Sequence, residues 1–186
     1  SKTVDIEFLY PWGWGELEGI ANRGTFDISS HEKASGKDLS YFDPEKNEKI
    51  IPSVIEPAGG LTRTLFALLC SCYDEDEVND TTRTFFRFDF NIAPIQIGIL
   101  PLSKKEELVE VSNNIKTLLQ ESYRTEIDVT QSIGKRYRRQ DEIGTPYCIT
   151  VDFDSLHDNT VTIRNRDSME QERVAITDLP GFFSDI

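Results

Sequence analysis

Cysteine, histidine and methionine are scarce in these 186 residues, at three, two and one. Cys70, Cys72 and Cys148 are odd in number and lack framework spacing, which excludes a disulfide scaffold and points to a reducing compartment. Cys70 and Cys72 stand two apart in a predicted helix and face different ways. No further ligands at zinc spacing lie near them, so all three read as core cysteines. His31 and His157 have no spacing that suits catalysis or metal binding and read as surface residues. No run approaches the roughly 18 apolar residues of a membrane span, and no signal-peptide pattern opens the chain. The first residue is Ser1 rather than Met, in strand-like sequence, as expected of an excised or incomplete piece or of Met removal. Positive charge is also in deficit: 20 Lys and Arg face 33 Asp and Glu, a net −13. Alone, that balance argues against nucleic acid as a partner. The charge is uneven, however, with an acidic knot at Asp74–Glu77 and a cluster of Lys135, Arg136, Arg138 and Arg139.

What remains is enough for a core, since 38% of residues are apolar, and the length suits one large domain or two small ones. Residues 3–10 and 16–23 read as strands around a turn marked by Pro11, Gly13 and Gly15. A short helix is expected near Ser29–Ala34 and a β-branched strand over 50–56. After the turn Pro57-Ala58-Gly59-Gly60, a helix from Leu61 to about Tyr73 is apolar enough to be buried on most sides. The acidic stretch 74–80 reads as a loop and 83–88 as a short strand. Beyond Pro94 the order is strand (95–100), helix, strand (126–129), helix (132–142), strands (147–153, 161–166, 172–176) and a short last helix. Ser103 and Glu106 fit a capping box at the first of these helices. Early strand–helix alternation predicts right-handed crossovers and a partly parallel sheet. The expectation is an α/β chain of two domains: residues 1–88, an antiparallel sheet with a helix on it, and residues 89–186, a three-layer α/β domain with a mixed sheet.

Two elements carry candidate chemistry. In Glu56-Pro57-Ala58-Gly59-Gly60-Leu61-Thr62-Arg63 a strand ends in a carboxylate, glycines allow close approach of a ligand, and a helix N-terminus offers free N–H groups beside an arginine. This suits a ligand with a phosphate and an amine; an exposed strand-to-helix turn is the plain alternative. In Gly15-Glu16-Leu17-Glu18-Gly19-Ile20-Ala21-Asn22-Arg23, period-two spacing puts Glu16 and Glu18 on one strand face, able to hold Mg²⁺ or an ammonium group. A solvated edge strand is the alternative there.

The words WGELEGIANRG, SGKDLSYFD, IPSVIEPAGGLTRTLFALL, APIQIGILPL and SIGKRYRRQDEIGTPYCITVDFD follow in order across nearly the whole chain. Together they resemble the dimeric, class II glycyl-tRNA synthetases, from just after the second signature motif onward. The resemblance implies a partial antiparallel class II synthetase core followed by an anticodon-binding domain. It implies ATP-dependent ligation of glycine to its tRNA by a cytoplasmic homodimer, with ATP and Mg²⁺. By the same resemblance Glu56 attracts the glycine ammonium, with Ala58 and Gly60 in the glycine pocket. Arg63 packs on adenine and reaches the phosphates, alongside Glu16, Leu17, Gly60 and Leu61 at ATP. Glu16 is the candidate Mg²⁺ ligand, and Arg23 neutralises phosphate charge. Most family members carry Ser where this chain has Ala58, which shifts rejection of alanine onto neighbouring groups. The family's first and second motifs lie upstream of these residues, so the 186 residues alone are expected not to form glycyl-adenylate. Candidate tRNA contacts are Arg136, Arg138, Arg139, Arg164 and Arg166; a solvated helix face and sheet-covering arginines are the alternatives. The runner-up function is a catalytically inactive, synthetase-like subunit that binds nucleic acid or a partner, as in the accessory subunit of mitochondrial DNA polymerase. Retention of Glu16, Arg23, Glu56 and Arg63 favours the enzyme.

Overall fold

Alternating apolar and polar residues at the start of the chain form a long hairpin in the computed structural model, which describes residues 2–78 and 80–186. The chain divides into two compact units, one up to Ser71 and one from Cys72 onward. In the first, β1 (Lys2–Tyr10) and β2 (Gly13–Gly24) pair antiparallel around a turn at Pro11 and Trp12, and β5 (Val54–Gly59) joins the far edge of β2. Helix α1 (Phe26–Ser35) and a short hairpin of β3 (Tyr41–Asp43) and β4 (Glu48–Ile50) fill the excursion between β2 and β5. The run expected as one strand over 50–56 is broken at residues 51–53, where Pro52 has no N–H to give a ladder. Helix α2 (Leu61–Cys72) follows β5 directly. It was expected to be buried on most sides, yet Ala67 is its one buried residue and Leu61 is 85% exposed, because no further layer among the described residues covers it.

The second unit opens with a hairpin of β6 (Tyr73–Val78) and β7 (Thr81–Phe86). The acidic stretch expected as a loop is thus a strand. Its alternate carboxylates are answered across the ladder: Asp76 sits opposite Arg83 and bonds to it, and Asp74 accepts from Arg87 at 2.6 Å. This hairpin, on the near side of the domain line drawn from sequence after Phe88, packs within the unit that follows it.

That unit is a five-stranded sheet in the order β12-β11-β10-β8-β9, built from β8 (Ile97–Pro101), β9 (Thr125–Ile127), β10 (Tyr147–Val151), β11 (Thr160–Asn165) and β12 (Gln171–Ala175). β8 runs parallel to both β9 and β10, while β11 and β12 are antiparallel additions. Parallel neighbours require crossovers, supplied by α3 (Glu106–Leu119) and α4 (Ile133–Glu142). One sheet face presents Ile97, Ile99, Ile149, Val151, Val161 and Ile163 to Leu108, Ile115 and Leu119 of α3 and to Leu179 and Phe183 of α6 (Leu179–Ser184). The other face receives α4 so closely that a side chain at Gly98 would meet Gln140 at 3.0 Å. The expected three layers are present. The capping box is not: α3 starts two residues late, behind Lys105, and Ser103 accepts the Lys105 N–H at 3.4 Å instead. Helix α5 (Ser155–Asp158), absent from the sequence reading, is a single turn held by reciprocal bonds between Ser155 and Asp152.

Beneath α4 lies a buried ionic layer. Asp141 accepts from Arg164 at 2.8 and 3.1 Å and from Arg83 at 3.3 Å, all three side chains being nearly inaccessible. Breaking such a set leaves unanswered charge out of water, which costs about 3–5 kcal/mol. Asp141→Asn is therefore expected to lower the unfolding free energy of this unit by about that amount in urea titrations followed by circular dichroism. A second prediction concerns acid. The Arg83 hydrogen bond holds Asp76 below the usual carboxylate range, and the Arg87 bond does the same for Asp74. Groups whose folded values are lowered stabilise fully above the unfolded range, near about pH 4, and lose that contribution as pH falls through the lowered values. The β6–β7 hairpin should hold its nuclear magnetic resonance shifts from neutral pH down to about pH 5 and open below about pH 4.

Candidate active-site face and nucleic-acid interface

The first unit gathers its candidate residues through strand register and two bulges. Asp5, Gly19 and Ala58 stand in one cross-strand row, and Thr3, Ala21 and Glu56 in the next but one. Period-two alternation places both rows on the same face, giving a floor of Gly19, Ala21 and Ala58 with carboxylates around it. The first bulge falls where Glu7 pairs with Glu16 and Ile6 with Glu18, leaving Leu17 as the extra residue. A bulge resets side-chain direction. The Glu16 carboxylate lies over Gly19, 3.3 Å from where a β-carbon would stand, and the Asp5 carboxylate is 3.6 Å from the same point. Glu18 instead faces Gly59 on the opposite side. The expected Glu16–Glu18 pair is thus not formed; Asp5 is the neighbour of Glu16. Counting back from the turn at Pro11 places Asp5 opposite Glu18; the bulge, which leaves no mark in the sequence, moves Asp5 to Gly19.

The second bulge, between Asn22 and Gly24, makes Arg23 the extra residue and aims it along the sheet. Its Nε and Nη2 donate to Asp27 in a two-pronged pair, and Nη1 donates to Glu56 at 3.0 Å. The hydrogen bonds donated to Asp27 and that carboxylate's charge, with Glu56 behind, raise the Arg23 guanidinium further above its ordinary value, and Asp27 is correspondingly held below its own. Arg23, Glu56 and Asp27 thus form a water-facing chain of alternating charge in which Glu56 keeps one side open.

Gly60 precedes α2 as its cap, its carbonyl accepting from Thr64 N–H at 2.8 Å. Neither Gly59 nor Gly60 has a positive φ, and a β-carbon on either would meet nothing closer than 3.4 Å. Internal packing therefore does not demand these glycines. Arg63, in the first turn of α2, donates to the Glu16 carbonyl at 2.6 Å, so the helix start is tied to the first bulge. Beside it, Tyr10, Trp12 and Phe66 stack with ring centroids 5.0–5.9 Å apart and planes within 17°. With Gly15, Glu16, Thr62 and Arg63 these rings line a cleft of about 410 Å³. Trp12 is 72% exposed although it is stacked. Leu61 lies outside this cleft's lining, while Leu17 is half-buried at the bulge. Among the described residues no three carboxylate, histidine or cysteine side chains converge on a point.

In the second unit the arginines expected at tRNA sort by burial. Arg136 is buried, with its guanidinium donating to the carbonyls of Pro101, Asp128 and Leu102. Arg164 is committed to Asp141, and Arg166 donates to the carbonyls of Phe88 and Gly144 and to Asp167. These three are therefore scaffold rather than RNA contacts, because a guanidinium out of water must spend its N–H groups on nearby acceptors. Arg139 is half-buried and ties down the turn after β9 through Asp128 and Thr130. Arg138 keeps one long bond, 3.3 Å to the Thr82 carbonyl. Sequence marks positive charge but not depth, and helix periodicity alone separates Arg136 and Gln140, which face the sheet, from their neighbours.

Residues 96–186 match the family described as "Anticodon binding domain". Over 184 residues the chain is 56% identical to the glycine–tRNA ligase of Ruminiclostridium cellulolyticum, an alignment covering 98% of this chain and 39% of that protein. It is 55% identical over 184 residues to that of Lachnospira eligens, with the same coverage. With that of Corynebacterium glutamicum it is 48% identical over 192 residues, covering 99% of this chain and 42% of that protein. The chain spans about two fifths of the length of the curated relatives it matches. Identities near one half over almost every residue and the matched anticodon binding domain make the chain similar, across its 186 residues, to about two fifths of a glycine–tRNA ligase.

Proposed function

We propose that this chain contributes to ATP-dependent attachment of glycine to its tRNA, its first unit supplying part of the aminoacylation site and its second holding the tRNA. The observation that carries the reading is the single sheet face on which Glu16, Glu56 and Asp5 surround a floor of Gly19, Ala21 and Ala58. A ligand that is an ammonium with almost no side chain fits such a floor, and the carboxylates supply its counter-charge. Glu56 is the ammonium acceptor in this reading, its charge shared with Arg23. Glycine presents its carboxylate to the α-phosphate of ATP. An oxygen–phosphorus bond forms as the bond to pyrophosphate breaks, and charge builds on the phosphate oxygens. Arg63, fixed by its bond to the Glu16 carbonyl, and Arg23, fixed by Asp27, are placed to answer that charge without rearranging. In the second half-reaction a ribose hydroxyl of the tRNA attacks the glycyl carbonyl and AMP leaves. The aromatic shelf of Tyr10, Trp12 and Phe66 offers a flat apolar wall beside Arg63 for a nucleobase.

Mg²⁺ is commonly held by one or two carboxylates together with substrate phosphates. The paired Asp5 and Glu16 carboxylates fit that role, and the ion, when bound, would neutralise phosphate charge. A homodimer working in the cytoplasm is part of the same proposal, as in the family. No helix among the described residues is long and apolar enough to cross a membrane.

The test is glycine-dependent ATP–pyrophosphate exchange by the natural protein that carries these residues. Arg63→Ala is expected to lower the turnover rate by roughly 100- to 1000-fold, the effect of removing one preorganised charge donor. Glu56→Gln is expected to raise the KM for glycine by at least about tenfold, the worth of one charge-assisted hydrogen bond. With Ala58 in the floor, rejection of alanine should rest on the fit of one methyl group, roughly 10- to 200-fold. Absence of exchange from a folded protein that still binds tRNA would favour the inactive, binding-subunit reading instead.

A further inference from the structure

Arg23 stands at a corner of the first unit that is fixed on three sides. The bulge at the end of β2 makes it the extra residue of that strand. Just beyond it the chain turns sharply: Gly24 takes a left-handed φ of 57°, and its N–H donates to the Asn22 side chain at 3.0 Å. Helix α1 begins at Phe26, so Asp27 falls in its first turn, where the helix dipole favours a carboxylate. There Asp27 accepts from Arg23 Nε and Nη2 as a two-pronged pair. Glu56, on the neighbouring strand β5, accepts from Nη1 at 3.0 Å. The two partners are not equivalent. The Asp27 side chain is 21% exposed and doubly bonded, whereas that of Glu56 is 47% exposed and singly bonded. Two-pronged arginine–carboxylate pairs are strong and directional, while single ion pairs in water are worth little. The guanidinium is thus anchored at its Nε edge and free to change partner at Nη1.

We propose that Asp27 is a positioning residue that holds Arg23 as a switch between the two small substrates, an assignment that rests on the aminoacylation reading above. With no phosphate present, Nη1 rests on Glu56. It then occupies a lone pair of the carboxylate that takes the glycine ammonium, and it sets a positive charge beside that ammonium's place. A phosphate that draws Nη1 away removes the bond and neutralises the charge, so Glu56 regains its full attraction for an ammonium. Asp27 keeps the guanidinium in place while this happens: the anchored edge stays and one N–H group changes acceptor. ATP and glycine therefore assist each other's binding, and linkage makes the assistance equal in both directions. Glycine arriving alone meets a carboxylate that is already partly answered, and glycine arriving after ATP meets a free one.

The test is isothermal titration calorimetry of glycine into the natural protein, with and without a saturating ATP analogue whose α,β-bridging oxygen is a methylene group. The analogue is expected to tighten glycine binding about fivefold, the lower end of the usual coupling range, because the Arg23–Glu56 pair faces water. Glycine should tighten the analogue by the same factor. Arg23→Gln is expected to bind glycine alone at least as tightly as the unsubstituted protein, to bind the analogue more weakly and to show no coupling. Asp27→Asn is expected to weaken the analogue as well but to bind glycine alone no more tightly, because the guanidinium still sits on Glu56. Weaker binding of glycine alone by Arg23→Gln, coupling that survives that substitution, or unchanged analogue binding by Asp27→Asn would overturn the switch. Binding of both ligands by the unsubstituted protein without coupling would overturn the switch alone. Failure of the unsubstituted protein to bind glycine or the analogue would overturn the aminoacylation reading with it.

Discussion

A guanidinium removed from water must find acceptors for its N–H groups, and the second unit is organised around that demand. Asp141 answers Arg83 and Arg164 together, joining β7, α4 and β11 in one buried layer. The carbonyls of Phe88 and Gly144 answer Arg166, and those of Pro101, Leu102 and Asp128 answer Arg136. The same rule explains why this face of the sheet tolerates so much polarity. Gln140 and Thr145 satisfy each other at 2.6 Å, and Tyr137 is bonded to Thr150. The opposite face carries the hydrophobic core. The apolar face supplies most of the driving force for folding. The ionic face fixes how α4 and the hairpin seat on the sheet, because any other seating would strand a charge.

In the first unit the arginines remain in contact with water. Arg23 and Arg63 are oriented by the hydrogen bonds they donate to Asp27, Glu56 and the Glu16 carbonyl but are not enclosed. That is the condition a phosphate-binding residue needs: a preset direction with N–H groups still available. Two bulges in a single strand create it, one lifting Glu16 over Gly19 and the other turning Arg23 toward Glu56. Bulges concentrate next to functional sites because they re-aim side chains without breaking the sheet.

The sequence made much of this legible. The order of strands and helices beyond residue 95 follows from periodicity, because β8, β10 and β11 are covered on both faces by one chain's own residues. The Glu56–Arg63 segment was legible as the junction of a strand and a helix, which is where β5 meets α2. The misreadings share one cause, which is that side-chain partners and bulges are not written in the local pattern. Asp74 and Asp76 look like a solvated loop until Arg87 and Arg83 stand across from them. Ser103 looks like a cap until its hydroxyl turns to Lys105. Glu16 and Glu18 share a face by alternation, and the bulge at Leu17 separates them. Arg164 and Arg166 resemble a basic RNA-binding pair until Asp141, far back in the chain, claims the first and two backbone carbonyls claim the second.

Burial, then, sorts the arginines of this chain into those that hold the fold and those that stay open to water. Arginine-selective labelling with phenylglyoxal, read residue by residue by mass spectrometry on the natural protein, tests that division directly. Arg23 and Arg63 are expected to label, and to be protected when ATP and glycine are added. Arg83, Arg136, Arg164 and Arg166 are expected to stay unlabelled while the protein is folded. Labelling of Arg164 or Arg166 in the folded protein, or labelling of Arg63 that ATP leaves unchanged, would contradict the account.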